Sequence, residues 1–155
     1  MPRVSAQFHL PRATPAEVAA LWWDTARWPS FVEGFSHVHK REEPWPADGG
    51  RLVWDARPGS DRGRVIERVR HRDTAGGAEV AVEDAVLEGT QRVGFQAARD
   101  GTLVTLELHY APKGPAATLV DLAFTRRRLR RGLERTLQRL AREVVMEREL
   151  AEGVE

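Results

Sequence analysis

The sequence predicts an α+β domain in which a curved, seven-stranded antiparallel sheet wraps around one long C-terminal helix, with two short helices after the first strand. Three observations carry this. Leu122, Leu129, Leu133, Leu137, Leu140 and Val144 recur at gaps of three, four or seven, an apolar stripe on a helix running from Leu119 to roughly Ala151. Thirty residues make about 45 Å of helix, too long to lie on a small domain unless something wraps around it. Ahead of it, strand-length segments follow one another at hairpin spacing, and a capped helix with a proline-broken companion follows the first strand.

Arg3 to Leu10 alternates weakly through Val4, Ala6, Phe8 and Leu10 and stops at Pro11, a first strand. Thr14-Pro15-Ala16-Glu17 starts a helix: Thr14 caps, Pro15 fits the first position and Glu17 completes a capping box. That helix runs through Leu21-Trp22-Trp23 and ends near Asp24, and Pro29 opens a second short helix. The pair plugs one end of the sheet. Strands follow at Ser36–Glu43, Arg51–Arg57, Arg64–Arg72, Glu79–Val86, Gln91–Arg99 and Leu103–Tyr110. Their turns carry fitting chemistry in Asp48-Gly49-Gly50, Pro58-Gly59-Ser60, Gly76-Gly77, Glu88-Gly89-Thr90 and Asp100-Gly101. Pro112 and Pro115 close the last strand.

At 155 residues, 41% hydrophobic and 30% charged, the chain reads as one soluble domain, residues 1–155, large enough for a core and a cavity. The net charge of +1 hides an imbalance: from Arg126 to Arg142 eight arginines face one acid, Glu134. A solvated helix face explains this most simply. Membrane contact through this basic helix is the lesser alternative, and the near-neutral total argues against nucleic acid. With no cysteine, disulfides, thiol catalysis and zinc–thiolate sites are excluded. No run of about eighteen apolar residues and no signal-peptide core is found, so a cytoplasmic protein is expected.

Strand alternation assigns the faces. Val104, Leu106, Leu108 and Tyr110 point inward, as do Val93, Phe95 and Ala97, and Leu52, Trp54 and Ala56. Val80 and Val82 also point in and carry Asp84 with them, so Asp84 needs a partner, which Arg68 or Arg72 on the adjacent strand would supply. The strand Arg64–Arg72 is ambiguous. Periodicity favours Val65, Glu67 and Val69 inside, whereas a partner for Asp84 favours the face of Arg68, Arg70 and Arg72.

Several segments are familiar together: Pro15-Ala16-Glu17-Val18 with Trp22, then Trp28-Pro29, Gly63-Arg64-Val65-Ile66-Glu67-Arg68-Val69, Val82-Glu83-Asp84, Leu87-Glu88-Gly89-Thr90-Gln91, and the run Leu129 to Leu137. Through them the chain resembles the START-like (SRPBCC) superfamily of polyketide cyclase/dehydrase and lipid-transport proteins, which share the helix-grip, Bet v 1-like fold. The resemblance implies a deep cavity between sheet and long helix. It also implies an arginine at Arg72 lining that cavity, which turns Arg68, Arg70 and Arg72 inward. Related aromatase/cyclases carry a pocket tyrosine where this chain has Phe35, so a proton donor is missing.

Cyclising a polyketone needs a polarised carbonyl and a proton shuttle, for which Arg72, Tyr110 and Asp84 are the candidate catalytic residues. The competing reading is a structural Arg–Asp ion pair and a core tyrosine. Trp28, Phe35, Trp54, Arg68, Phe95 and Leu106 are the candidate ligand-binding residues, with core packing as the plainer account of the aromatic ones. His37 and His39 share a strand face but have no evident third ligand, so no metal and no cofactor are expected. Gly132 inside the long helix asks for a close neighbour or an open surface. The expected function is a cyclase/dehydrase-like protein that takes a hydrophobic, aromatic or polyketide-like small molecule, the alternative being a carrier of a lipid, quinone or isoprenoid.

Overall fold

β1 (Arg3–Pro11) leads into α1 (Pro15–Trp23), a 3-10 turn (Thr25–Arg27) and α2 (Trp28–Phe31). Then come β2 (Phe35–Glu42), β3 (Arg51–Ala56), β4 (Arg64–Arg72), β5 (Ala78–Glu83), β6 (Leu87–Ala98), β7 (Gly101–Pro112) and the long helix α3 (Leu119–Gly153). The computed structural model describes residues 2–114 and 119–153, the side chains of residues 119–121 excepted. Pro115, expected to help close the last strand, lies outside the described residues. Thr14 Oγ1 accepts from the Glu17 N–H at 3.2 Å and Pro15 opens α1.

The strands form one antiparallel sheet in the order β1-β7-β6-β5-β4-β3-β2, so the first strand pairs with the last. α3 packs back onto β1, α2 and α1, and the curved sheet grips it. Leu137, Leu140 and Val144 are buried there, each stabilising the fold by about 1.5–3 kcal/mol. Gly132 lies where α3 passes Glu33, and a Cβ there would stand 3.8 Å from the Glu33 side chain. Glu33 is clamped in turn by Arg135 at 3.1 Å and Arg139 at 2.6 Å, and its N–H donates to Thr136 Oγ1 at 3.0 Å. No helix among the described residues is long and apolar enough to cross a membrane.

The β5–β6 turn is tighter than the sequence suggests. Asp84 Oδ1 accepts from the Val86 and Leu87 N–H groups at 2.9 and 3.0 Å, so the chain reverses there and Glu88-Gly89-Thr90 is strand, not turn. Gly89 sits against β7, where a Cβ would fall 1.9 Å from the His109 carbonyl oxygen. That approach is open to glycine alone.

On β4 the valine face is the inner one. Val65, Glu67 and Val69 are buried, while Arg68 and Arg70 are exposed on the outer face. This corrects the inward orientation that the family resemblance implied for those two arginines: burying two unpaired guanidinium groups costs far more than burying one carboxyl that can stay neutral. A register shift between Val69 and His71 then reverses the alternation and brings Arg72 back toward the interior side, opposite Ala78. Ala97 follows the inward alternation of Val93 and Phe95 but lies beyond the edge of the core and is exposed. Leu122 continues the apolar stripe of α3 yet remains 36% exposed, so the N-terminal part of α3 is not seated as the rest is.

Candidate functional site

The interior is divided in two. One cluster is aromatic and lies under α1, α2 and the C-terminal half of α3; it includes Trp22, Trp28, Phe31, Phe35, Trp54 and Phe95. The other, smaller, holds Val4, Leu87, Leu108 and Tyr110, with Val86 and Leu129 against it; Leu133 of α3 touches both.

Most of the predicted ligand-binding residues belong to the aromatic cluster and pack on one another. Phe35 lies 5.2 Å from Trp54 and 5.7 Å from Trp28, ring centre to ring centre, and Trp28 lies 6.5 Å from Trp54. The Trp28 indole N–H donates to the Trp22 carbonyl at 2.7 Å, Phe95 stands 6.4 Å from Trp22, and Leu106 is buried in the same cluster. Edge-to-face contacts of this kind are worth about 0.5–1.5 kcal/mol beyond burial. They make this end of the grip a packed wall.

The three candidate catalytic residues are not brought together. Arg72 opposes Ala78, which opposes Val93, whereas Tyr110 opposes Gly89, four residues back along β6. At strand rise that is about 13 Å. Asp84 lies further still from Arg72, beyond the Glu83–Glu88 pair. The Arg72 guanidinium stacks 4.7 Å from the Trp23 ring centre, and its backbone N–H donates to Asp48 Oδ1 at 2.7 Å. Arg72 also edges a depression of about 510 Å³ between α1 and the β4–β5 turn. Arg68 lines another, of about 620 Å³, on the outer face of the sheet with Arg51 and Arg70.

The partner of Asp84 is Arg62, from the β3–β4 turn, in place of the expected Arg68 or Arg72. Arg62 Nε donates to Asp84 Oδ2 at 2.7 Å, and the Arg62 carbonyl accepts from the Ala85 N–H at 3.0 Å. Arg62 stands 5.2 Å over the Trp54 ring, and the Trp54 indole N–H donates to Glu67 Oε2 at 2.5 Å. A polar chain Glu67–Trp54–Arg62–Asp84 therefore runs from the middle of the inner sheet face to its rim. Burial pushes the Glu67 carboxyl above the usual glutamate range, and neither the Trp54 hydrogen bond nor the Arg62 charge reverses this.

Around this chain the grip is less tightly closed. Gln91 and Gly89, on the inner face of β6, are only half-buried, as are Leu129 and Leu133 on α3. Arg126 lies on the same helix side as Leu122, Leu129 and Leu133. Its charge draws the Tyr110 phenol down while burial, the larger effect, pushes it up. Arg128 bridges to Asp61 of the β3–β4 turn at 2.9 Å and ties α3 to the rim. Sequence reasoning missed Glu67 and Arg62 as members of one polar chain. The signal available was the inward parity of Glu67 with Val65 and Val69.

His37 Nε2 lies 3.0 Å and His39 Nδ1 4.0 Å from Asp55, which Arg64 also holds at 3.0 Å. They belong to an exposed charge cluster on β2, β3 and β4.

The model of the family described as polyketide cyclase / dehydrase and lipid transport matches residues 1–145. The chain belongs to that family. In this member of the polyketide cyclase/dehydrase and lipid-transport family Phe35 packs in the aromatic wall, and Arg72 stacks on Trp23 away from Tyr110 and Asp84. No curated protein matches the sequence significantly. Among solved structures, a Thermus thermophilus protein is similar at 20% identity and a TM-score of 0.75, with 94% of this chain and 99% of that one covered. A START superfamily protein from Mycobacterium smegmatis follows at 15% identity and 0.74, covering 93% and 97%. The Ara h 8.0201 protein is similar at 12% identity and 0.69, covering 94% and 98%. At these identities the likeness establishes the START-like, Bet v 1-like helix-grip fold.

Proposed function

We propose that this protein binds a hydrophobic, aromatic or polyketide-like small molecule between the sheet and the N-terminal half of α3, with an oxygen of the ligand held at Glu67. The observation that carries this reading is the buried carboxyl of Glu67, held by the Trp54 indole N–H on a mostly apolar inner face, where burial favours its neutral form. A protonated carboxyl donates a hydrogen bond to a carbonyl or hydroxyl, and the surrounding apolar groups favour a ligand that brings little other polarity. Carriage is favoured over cyclisation through Arg72, Tyr110 and Asp84, because Arg72 stands a strand's length away from the other two. Cyclisation remains the second reading on one observation: Glu67 and Arg62 flank Trp54 and supply an acid and a cation of their own.

The test is a titration with an apolar fluorescent probe, following tryptophan emission. Saturable quenching at one probe per chain is expected, with Trp54→Phe reducing its amplitude. Binding that never saturates, or that survives Glu67→Leu and Trp54→Phe unchanged, would sink this site. Incubation with a polyketone separates the two readings: a carrier releases it unaltered after denaturation, whereas a cyclase returns product that Glu67→Gln abolishes.

A further inference from the structure

We propose that the outward face of α3 docks on an anionic lipid bilayer. Along this helix Phe124, Arg127, Arg131, Gln138, Arg142 and Val145 follow at steps of three, four and seven, and all are exposed. They lie opposite the buried Leu137, Leu140 and Val144. Phe124 is 66% exposed, a whole aromatic ring presented to water at one end of the stripe. From Phe124 to Arg142 the stripe is about 27 Å long.

Six of the nine arginines of α3 fall into two sets. Arg128, Arg135 and Arg139, on the flanks, have carboxylate partners in Asp61 and Glu33. Arg127, Arg131 and Arg142, on the outward line, make no ion pair among the described residues, and the acids Glu143 and Glu147 further along are taken by Arg27. Among the described residues the arginines of the stripe are left without an ion-pair partner, and Glu134 is the single acid between Arg126 and Arg142, so the N-terminal part of the stripe carries a positive excess while the chain as a whole is nearly neutral.

That combination fits a lipid surface. Guanidinium groups bind lipid phosphates in a bidentate manner, and a phenyl ring beside them enters the interfacial layer. The near-neutral total charge argues against a nucleic-acid phosphate backbone, whereas a bilayer plane needs only the stripe. A second copy of this chain would set arginines against arginines. Docking also brings the Asp61–Arg128 rim of the interior site close to the bilayer, though the docking stands whether or not that interior takes a ligand.

Sedimentation of the full chain with vesicles tests this, using phosphatidylcholine alone and phosphatidylcholine mixed with phosphatidylglycerol. Binding is expected to the mixed vesicles only, and to fade with added salt. Arg127→Glu with Arg131→Glu should weaken it at least about tenfold, and Phe124→Ser should weaken it without changing its salt dependence. Thermal melting and interior probe binding should match the parent in both. If the charge reversal disturbs melting, the Arg127→Gln, Arg131→Gln pair takes its place with the same expected direction. No binding to mixed vesicles, equal binding to both kinds, or an unaffected variant would overturn the proposal. So would duplex DNA binding that outcompetes the vesicles, or a dimer that these substitutions dissociate.

Discussion

Arg62 Nε donates to Asp84 Oδ2 at 2.7 Å while its guanidinium lies over Trp54, so a single arginine ties the β3–β4 turn to the β5–β6 turn. The Asp84 side chain is fully buried and the Arg62 side chain 29% exposed. Asp84 also holds two backbone N–H groups of its turn. Arg62→Met should cost about 1–3 kcal/mol, because it strands a buried carboxylate. Arg68→Met, on the outer face, should cost less than about 0.5 kcal/mol. In a urea double-mutant cycle the Arg62→Met, Asp84→Asn pair should lose less than the sum of the singles. Additive losses would show that the two do not interact.

Glu67 predicts a pH dependence of stability. Its folded-state pKa is raised above the ordinary 4.5 by burial, so its neutral form is the one the fold accommodates. The stability linked to it is complete below about pH 4.5 and is lost as pH rises through the folded-state value. Glu42, Asp55 and Glu107 act in the opposite sense: hydrogen bonds from Arg51, Arg64 and His109 hold them below the usual range, so their contribution fades only as pH falls. Glu67→Gln keeps the shape and removes the titration. Denaturation curves for parent and variant should diverge in the variant's favour as pH rises above the ordinary glutamate range. Parallel curves would mean Glu67 is ionised at no cost.

Phe35→Tyr places a hydroxyl among Trp28 and Trp54. A buried hydroxyl without a partner costs about 1–3 kcal/mol, so this variant should melt lower than the parent and gain no turnover on a polyketone. A large gain would show that the aromatic wall opens to ligand after all.

Arg72→Ala removes the stack on Trp23 and leaves the interior site untouched. A loss of about 0.5–1 kcal/mol is expected, with the affinity for an apolar probe unchanged. Affinity that drops with Arg72 would return that residue to the ligand site.

Deleting residues from Leu137 onward takes Leu137, Leu140 and Val144 out of the core and exposes the faces of α2 and β1 they cover. Cooperative melting should disappear, since the three together supply about 4.5–9 kcal/mol of burial. A sharp transition near the parent temperature would show that α3 is not a wall of the core.

By itself the sequence determined the elements and the fold. The stripe from Leu129 to Val144, the Thr14–Glu17 cap and the strand alternations are local patterns, set by the periods of helix and strand, and they survive into the structure nearly unchanged. What it could not determine was which polar groups meet. Two local irregularities decided that. The register shift between Val69 and His71 sends Arg72 to Trp23 although Arg68, ahead of the shift, faces outward, and the tight Asp84 turn brings that carboxylate to Arg62. A single extra residue in a strand reverses the face of everything beyond it, and no period in the sequence marks where it falls. Tertiary structure alone therefore set the Glu67–Trp54–Arg62–Asp84 chain. Its members come from β3, β4 and two turns, and only the pairing of those strands puts them side by side.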